Sequence, residues 1–277
     1  MKKFGIIVLI FFFIFCFYNF SYSQNYPNRI IPLGPAITEQ LYILGVGDKI
    51  IANTIYCTRP PDAEKKEKIG TVVEQNIEKI ISLKPDLVIA TSLTNPRTIK
   101  KLKDLGIKVV SFIYAKSFDE LCEHFIELGK IVGKKKESKE IVKRAKKEVE
   151  NIYKKTKNLK KQKVIVQIGA KPLFVATKDS FINDFIKFAG GKNLGPKGSG
   201  IYSREKILRQ NPDVIIITTM GIAGEEEKKI WQKYKTLNAV KNNRIYIVDA
   251  HKLCSPTPIS FVETLKEIVG ILHPKNE

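Results

Sequence analysis

The stretch Glu78–Thr91 reads EKIISLKPDLVIAT, and the stretch Glu205–Thr218 reads EKILRQNPDVIIIT. Seven of the fourteen positions are identical, at a constant offset of 127 residues. An offset of almost half the chain between two such copies implies two units of similar plan rather than a short-period repeat array. Each copy has the same physical reading. Asn76 and Ser203, also 127 apart, are helix N-caps that place Glu78 and Glu205 in a first helical turn. There a carboxylate gains ~0.3–1 kcal/mol from the helix dipole. Pro85 and Pro212 forbid continuation of the helix. Asp86 and Asp213 make the turn, and Leu87–Thr91 and Val214–Thr218 have the β-branched, apolar character of short buried strands.

Outward from each copy the pattern alternates. On the amino-terminal side the expected order is strand Arg29–Ile31, helix Ala36–Leu44, strand Lys49–Asn53, the repeat copy, helix Arg97–Leu105 and strand Lys108–Phe112. On the other side it is strand Val164–Ile168, helix Ile182–Ala189, the second copy, helix Glu225–Tyr234 and strand Ile245–Val248. Strands that alternate with helices build parallel sheets covered on both faces, so the fold class is α/β, with two Rossmann-like parallel-sheet lobes. Between the lobes, Ile141, Ala145, Val149, Ile152, Tyr153 and Leu159 recur at steps of three and four, which predicts one long helix over Ser138–Leu159. The organisation expected is a leader over 1–23, an amino-terminal lobe over 24–130, an interlobe helix within 131–162 and a carboxy-terminal lobe over 163–277.

The chain has 277 residues and a net charge of +20, from 48 Lys and Arg against 28 Asp and Glu. Such a charge first suggests nucleic acid. Residues 130–163 alone carry fifteen Lys or Arg and four Glu, and Tyr153 is their only aromatic, so the base-stacking side chains of a single-strand binder are missing. A solvated helix face is the plain reading of this run, and attraction to an anionic membrane is the sharper one. Met1-Lys2-Lys3, the apolar run Phe4–Phe20 and Ser21-Tyr22-Ser23 form the three regions of a secretory signal peptide. Its removal would take Lys2 and Lys3 and no acids, leaving +18 outside the cytoplasm, away from chromosomal DNA. Retention as an anchor is the alternative. Cys16 follows Phe-Ile-Phe rather than small residues, so a lipid anchor is not expected.

Phosphate-loop and nucleophile-elbow patterns are absent, and the only Gly-rich stretch, Gly195–Gly200 (GPKGSG), follows coil and reads as a flexible loop. With three His and no C-x-x-C pair, neither a zinc framework nor an enzyme is expected. In parallel sheets, ligands bind outside the carboxyl ends of the strands. That rule selects Pro35, Tyr56, Cys57, Ser92 and Tyr114 from the first lobe and Phe174, Tyr202, Met220, His251 and Cys254 from the second. Their aromatics suit a large, partly apolar ligand held between lobes. His124 reads as a helix-surface residue. Cys57 and Cys254 are candidates for a metal ligand pair or a disulfide across the cleft.

The ordered set RIIPLGPAITEQLYILGVGDKIIAN, TRPPDAEKKEKIG, NIEKIISLKPDLVIA, LGIKVVSF, YSREKILRQNPDVIII and RIYIVDA resembles the extracytoplasmic solute-binding proteins of ABC importers for iron chelates, cobalamin and haem. The resemblance covers Arg29 to Leu272. It implies capture of a chelate containing Fe or Co, no cofactor of the protein's own, and delivery to a permease dimer with its ATPase subunits. A monomer in the periplasm or its equivalent is expected, meeting the membrane through the permease. Glu78 and Glu205 match the family's permease-docking acids, and Tyr56, Tyr114, Phe174, Tyr202 and His251 are the expected ligand contacts. Ferric siderophore, cobalamin and haem all stay open. So do two other classes, an exported chelate-processing enzyme on this scaffold and a basic protein that binds anionic surfaces.

Overall fold

Three parallel strands, β1 (Ile30–Pro32), β4 (Leu87–Thr91) and β5 (Val109–Phe112), form the first sheet in the order β1-β4-β5 in the computed structural model, which describes residues 26–218 and 224–274. The leader and Met220 lie outside the described residues. Helix α1 (Pro35–Ile43) follows β1. The expected strand Lys49–Asn53 shortens to β2 (Ala52–Asn53), because Gly47–Lys49 close into a 3-10 turn. β2 pairs with β3 (Glu67–Lys68) beyond the short helix α2 (Pro61–Glu64). Helices α3 (Ile77–Ser82) and α4 (Pro96–Asp104) complete the lobe.

The second sheet runs β10-β9-β6-β7, with β8 also on β6; the strands are β6 (Gln162–Ala170), β7 (Leu173–Val175), β8 (Gly191–Asn193), β9 (Val214–Ile217) and β10 (Ile245–Ile247). All its pairings are parallel except β6–β7, a hairpin around Lys171 and Pro172 that extends β6 beyond the strand read from sequence. Its helices are α7 (Phe181–Phe188), α8 (Arg204–Gln210), α9 (Gly224–Gln232), α10 (Asn238–Lys241) and α11 (Ala250–Cys254). β1, Leu87–Ala90 of β4, Val164–Val166 of β6 and β9 are continuous buried apolar runs, as strands covered on both faces require, while the edge strands β5, β7 and β10 expose Ser111, Phe174 and Ile247.

The repeat is a repeat of hydrogen bonds. Asn76 accepts from the Lys79 N–H at 2.9 Å and Ser203 from the Lys206 N–H at 3.3 Å, so both caps form. Lys84 and Asn211, again 127 apart, hold left-handed φ values of 47° and 46° that turn the chain out of each helix. The Asp86 carboxylate then accepts from the N–H groups of Asn28 and Arg29, and Asp213 accepts from the Lys163 N–H at 2.8 Å. Each aspartate therefore clasps the start of the neighbouring strand rather than only forming a turn.

Two helices join the lobes, α5 (Phe118–Ile131) and α6 (Lys135–Thr156). α6 begins a turn earlier than Ser138, which is buried and donates back to the Lys135 carbonyl at 3.0 Å instead of capping. It ends where the Thr156 hydroxyl donates to the Phe188 carbonyl at 2.5 Å. The terminal helix α12 (Pro258–Leu272), absent from the sequence reading, opens on a Thr257–Ser260 capping box and packs on α6, α7 and α5. Phe261 of α12 is fully buried between Phe118 of α5 (ring centroids 4.3 Å) and Phe185 of α7 (3.9 Å). One apolar core thus runs from β1 and β4 through α5, α6 and α12 to β6 and β9.

Candidate ligand-binding cleft

A cleft of about 700 Å³ opens between the lobes at the carboxyl ends of the strands. From the first lobe it takes the turn after β1 (Gly34–Ile37), the end of β4 (Thr91–Leu93), the segment Phe112–Lys116 after β5, and Leu121 and His124 of α5. From the second it takes Ile168 of β6, Phe174 of β7, Ala176–Thr177, Asp179–Ile182, Gly198 and Cys254–Pro256. The close approach of α1 to β4 needs Gly34, where a Cβ would sit 2.9 Å from the Thr91 methyl. Gly200 serves Phe174 in the same way: an added Cβ would be 2.5 Å from the ring, which lies across the bare backbone.

Four aromatic rings, Phe112, Tyr114, Phe174 and Phe181, face this space, and Tyr114 meets Phe181 across the lobe boundary with ring centroids 5.2 Å apart. The wall is otherwise mostly aliphatic, and its only acidic or basic side chains are Lys116, His124 and Asp179. The apolar surroundings push the Tyr114 hydroxyl well above the usual phenol range, so it stays a neutral donor. Burial likewise raises the Cys254 thiol to about 11, against a smaller opposing effect of the Thr218 hydroxyl. Below the cleft the lobes are pinned. The Asp184 carboxylate of α7 accepts from the Phe118 N–H at 2.8 Å, filling one of the unpaired donors at the start of α5. Burial raises its pKa, and that hydrogen bond works in the opposite direction.

Of the residues selected from sequence, Pro35, Ser92, Tyr114, Phe174 and Cys254 are brought together in the cleft. Tyr56, Tyr202 and His251 are not in its wall. Tyr56 is half-exposed, Tyr202 has Lys206 Nζ 5.5 Å from its ring centre, and His251 stands in the first turn of α11 rather than in a loop. Cys57 does not face Cys254. Its thiol is fully buried inside the first lobe, 3.1 Å from Thr38 Oγ1 and 3.2 Å from Thr54 Oγ1. Cys57, Cys122 and Cys254 are all free thiols, and among the described residues no group of three His, Cys, Asp or Glu is placed to hold a metal. The Gly195–Gly200 loop is tethered, with Asn193 Oδ1 accepting from the Gly195 N–H and Asp179 from the Gly198 N–H, at 2.8 and 2.7 Å.

Sequence reasoning missed Phe181 and His124. His124 lies three residues beyond Leu121 on α5, and that helical spacing puts both on the cleft face. Glu78 and Glu205 stand exposed at the starts of α3 and α8. The start of α8 is fixed by Arg204, which pairs with the buried Glu227 at 2.5 Å and stacks 4.7 Å from the Trp231 ring centre. Trp231, fully buried there, is far from any ligand role.

The sequence pattern of the periplasmic binding proteins matches residues 30–251. The chain belongs to that family. A curated relative of this family is an uncharacterized ABC transporter substrate-binding lipoprotein, YvrC, of Bacillus subtilis, 33% identical over 90% of this chain and 81% of its own. The vitamin B12-binding protein of Vibrio cholerae is 29% identical over 83% of this chain and 84% of its own. Among solved structures, a possible iron-binding (periplasmic solute-binding) protein from Staphylococcus epidermidis superposes with a TM-score of 0.79 at 33% identity, covering 90% of this chain and all of that one. The two-lobed α/β architecture of the periplasmic binding proteins is therefore the architecture of this chain. No helix among the described residues is long and apolar enough to cross a membrane.

Proposed function

We propose that this protein is the substrate-binding component of an ABC importer and that it captures a tetrapyrrole metal chelate, haem or a cobalamin, between its lobes. The observation that carries the ligand class is the wall itself: Phe112, Tyr114, Phe174 and Phe181 converge from both lobes with only Lys116 and Asp179 charged. A planar macrocycle buries its faces against such rings, and its carboxylate or amide edges need few polar partners. An anionic siderophore complex calls for several cationic donors instead, and this cleft offers one lysine. Residues 24–130 and 163–277 act as the two lobes, and the helices between them limit closure to a small rotation. The loaded protein then presents Glu78 and Glu205 to the two permease subunits, a symmetric placement that suits a two-fold partner.

The same proposal puts the protein outside the cytoplasm, exported by Met1–Ser23. The lipoprotein name of the Bacillus subtilis relative stands against the expectation of no lipid, and mass spectrometry of the amino-terminal peptide distinguishes cleavage after Ser23 from a lipid on Cys16. For the ligand, visible-absorption titrations with haemin, cyanocobalamin, a ferric hydroxamate and a ferric catecholate are the test. Saturation by haemin or cyanocobalamin is expected, weakened at least about tenfold, or ~1.4 kcal/mol, by Phe174→Ala or Tyr114→Ala. Saturation only by a hydroxamate or catecholate, or by none of the four, overturns the proposal.

A further inference from the structure

The basic run resolves into a line of charge. In α6 the buried residues are Ser138, Val142, Ala145, Val149 and Thr156. At 100° per residue, the direction opposite to them is occupied by Lys136, Lys143, Lys147 and Lys154, interrupted by Glu140, with Lys139 and Arg144 on either side, and all seven are exposed. The four lysines span ~27 Å along the helix at 1.5 Å per residue. Glu150 pairs with Lys154 at 2.6 Å, while Lys136, Lys139, Lys143, Arg144 and Lys147 have no ion pair among the described residues. A line of exposed ammonium groups, of which Lys136, Lys143 and Lys147 carry no ion pair among the described residues, points away from the body of the protein and fits a flat anionic surface better than it fits a pocket-sized ligand.

The start of the chain says which surface. The Tyr26 ring packs against Gly133, where an added Cβ would meet it at 2.7 Å, in the turn between α5 and α6. The apolar run Phe4–Phe20 ends six residues before Tyr26. Six extended residues reach at most ~20 Å, so while the chain is held by that run the amino-terminal end of α6 stays within that distance of the bilayer. We propose that the Lys136–Lys143–Lys147–Lys154 face of α6 docks on the anionic leaflet of the membrane from which the chain emerges. The face lies on a different element from Glu78 and Glu205, so it is a second membrane-directed surface, separate from permease docking. Because polybasic segments bind by summed, screened attraction, its occupancy falls with added salt.

The test is co-sedimentation of the protein, in the form isolated from the cell's extracytoplasmic or membrane fraction, with phosphatidylglycerol–phosphatidylcholine vesicles and with pure phosphatidylcholine vesicles. An amino-terminal anchor contributes equally to both, so the ratio reads the basic face. We expect anionic vesicles to retain the protein at least tenfold more strongly, with the excess lost in K136Q/K143Q/K147Q/K154Q and in high salt. The matched variant K101Q/K103Q/K229Q/K233Q changes net charge equally and is expected to keep the excess. Equal retention on both vesicle types overturns the proposal. So does equal loss in both variants, which would mean that net charge acts without the row. Release from vesicles by a soluble polyphosphate at matched phosphate concentration overturns it in favour of a dissolved polyanion.

Discussion

Truncating Phe261 to alanine tests what holds the lobes in register. The ring is fully buried, stacked at 3.9 Å on Phe185 and at 4.3 Å on Phe118, with Phe188 edge-on at 6.5 Å. Removing a buried phenylalanine costs ~3–5 kcal/mol in lost transfer energy and residual cavity. The rings that would collapse into the space belong to two helices, α5, capped by Ser117, and α7, tied to α5 by the Asp184 bond, so relaxation is limited and the upper part of that range applies. Against a total stability of ~5–15 kcal/mol this is a large fraction. It corresponds to a melting temperature lower by about 10 °C for a chain of this size. Circular dichroism melts and urea titrations of parent, Phe261→Ala and Phe261→Leu would read it, with the leucine variant recovering more than half of the loss. Ligand affinity should fall with Phe261→Ala as well, because the stack sets where the two cleft walls stand. A loss below ~1 kcal/mol with an unchanged denaturant slope would refute the reasoning, since it would show that the stack neither fills space nor couples the lobes.

Two further outcomes follow from the site. Glu78→Ala combined with Glu205→Ala should abolish uptake into cells while leaving ligand affinity unchanged; lost affinity would place these glutamates in the cleft instead. Burial holds the Cys254 thiol near 11 and pushes Cys122 up to about 12, while Cys57 is fully enclosed. The thiolate is the reactive form, so iodoacetamide at about pH 8 should modify the native protein far more slowly than an ordinary thiol of pKa ≈ 8.5, and Cys254 should speed up only as pH approaches 11. All three cysteines should react promptly in urea, and rapid native labelling of Cys254 would contradict the buried environment.

The repeat carried most of the fold because its signals are local: an N-cap, a proline and a β-branched run act within fourteen residues. What the two copies share beyond that became visible only in space. Nothing in the residue types announces that Lys84 would match Asn211 in a left-handed turn, since lysine rarely adopts it. The β6–β7 hairpin was hidden by Pro172, which reads as a break although it stands in the turn between strands. Residues at strand ends, such as Tyr114 and Phe174, were legible as cleft residues because sheet topology dictates where those ends meet. Phe181 and His124 come from helices, and whether a helical residue faces the cleft depends on how the helix is laid against the other lobe. Cys57 was misplaced for a related reason: the chain after β2 folds back over α1 and gives the thiol two threonine hydroxyls inside the lobe.

The stack of Phe118, Phe261 and Phe185 joins residues separated by up to 143 positions, and its central ring comes from the last helix of the chain. Synthesis and secretion proceed from the amino terminus, so the first lobe has all its strands long before Phe261 is delivered. Until Pro258–Leu272 arrives, the Asp184–Phe118 hydrogen bond and the Tyr114–Phe181 contact reach between the lobes without the ring that packs the space below the cleft. The final fifteen helical residues therefore complete the join last: a chain truncated near residue 257 would lack the central ring of the stack and the apolar face that Val262, Leu265, Ile268 and Leu272 add to the shared core.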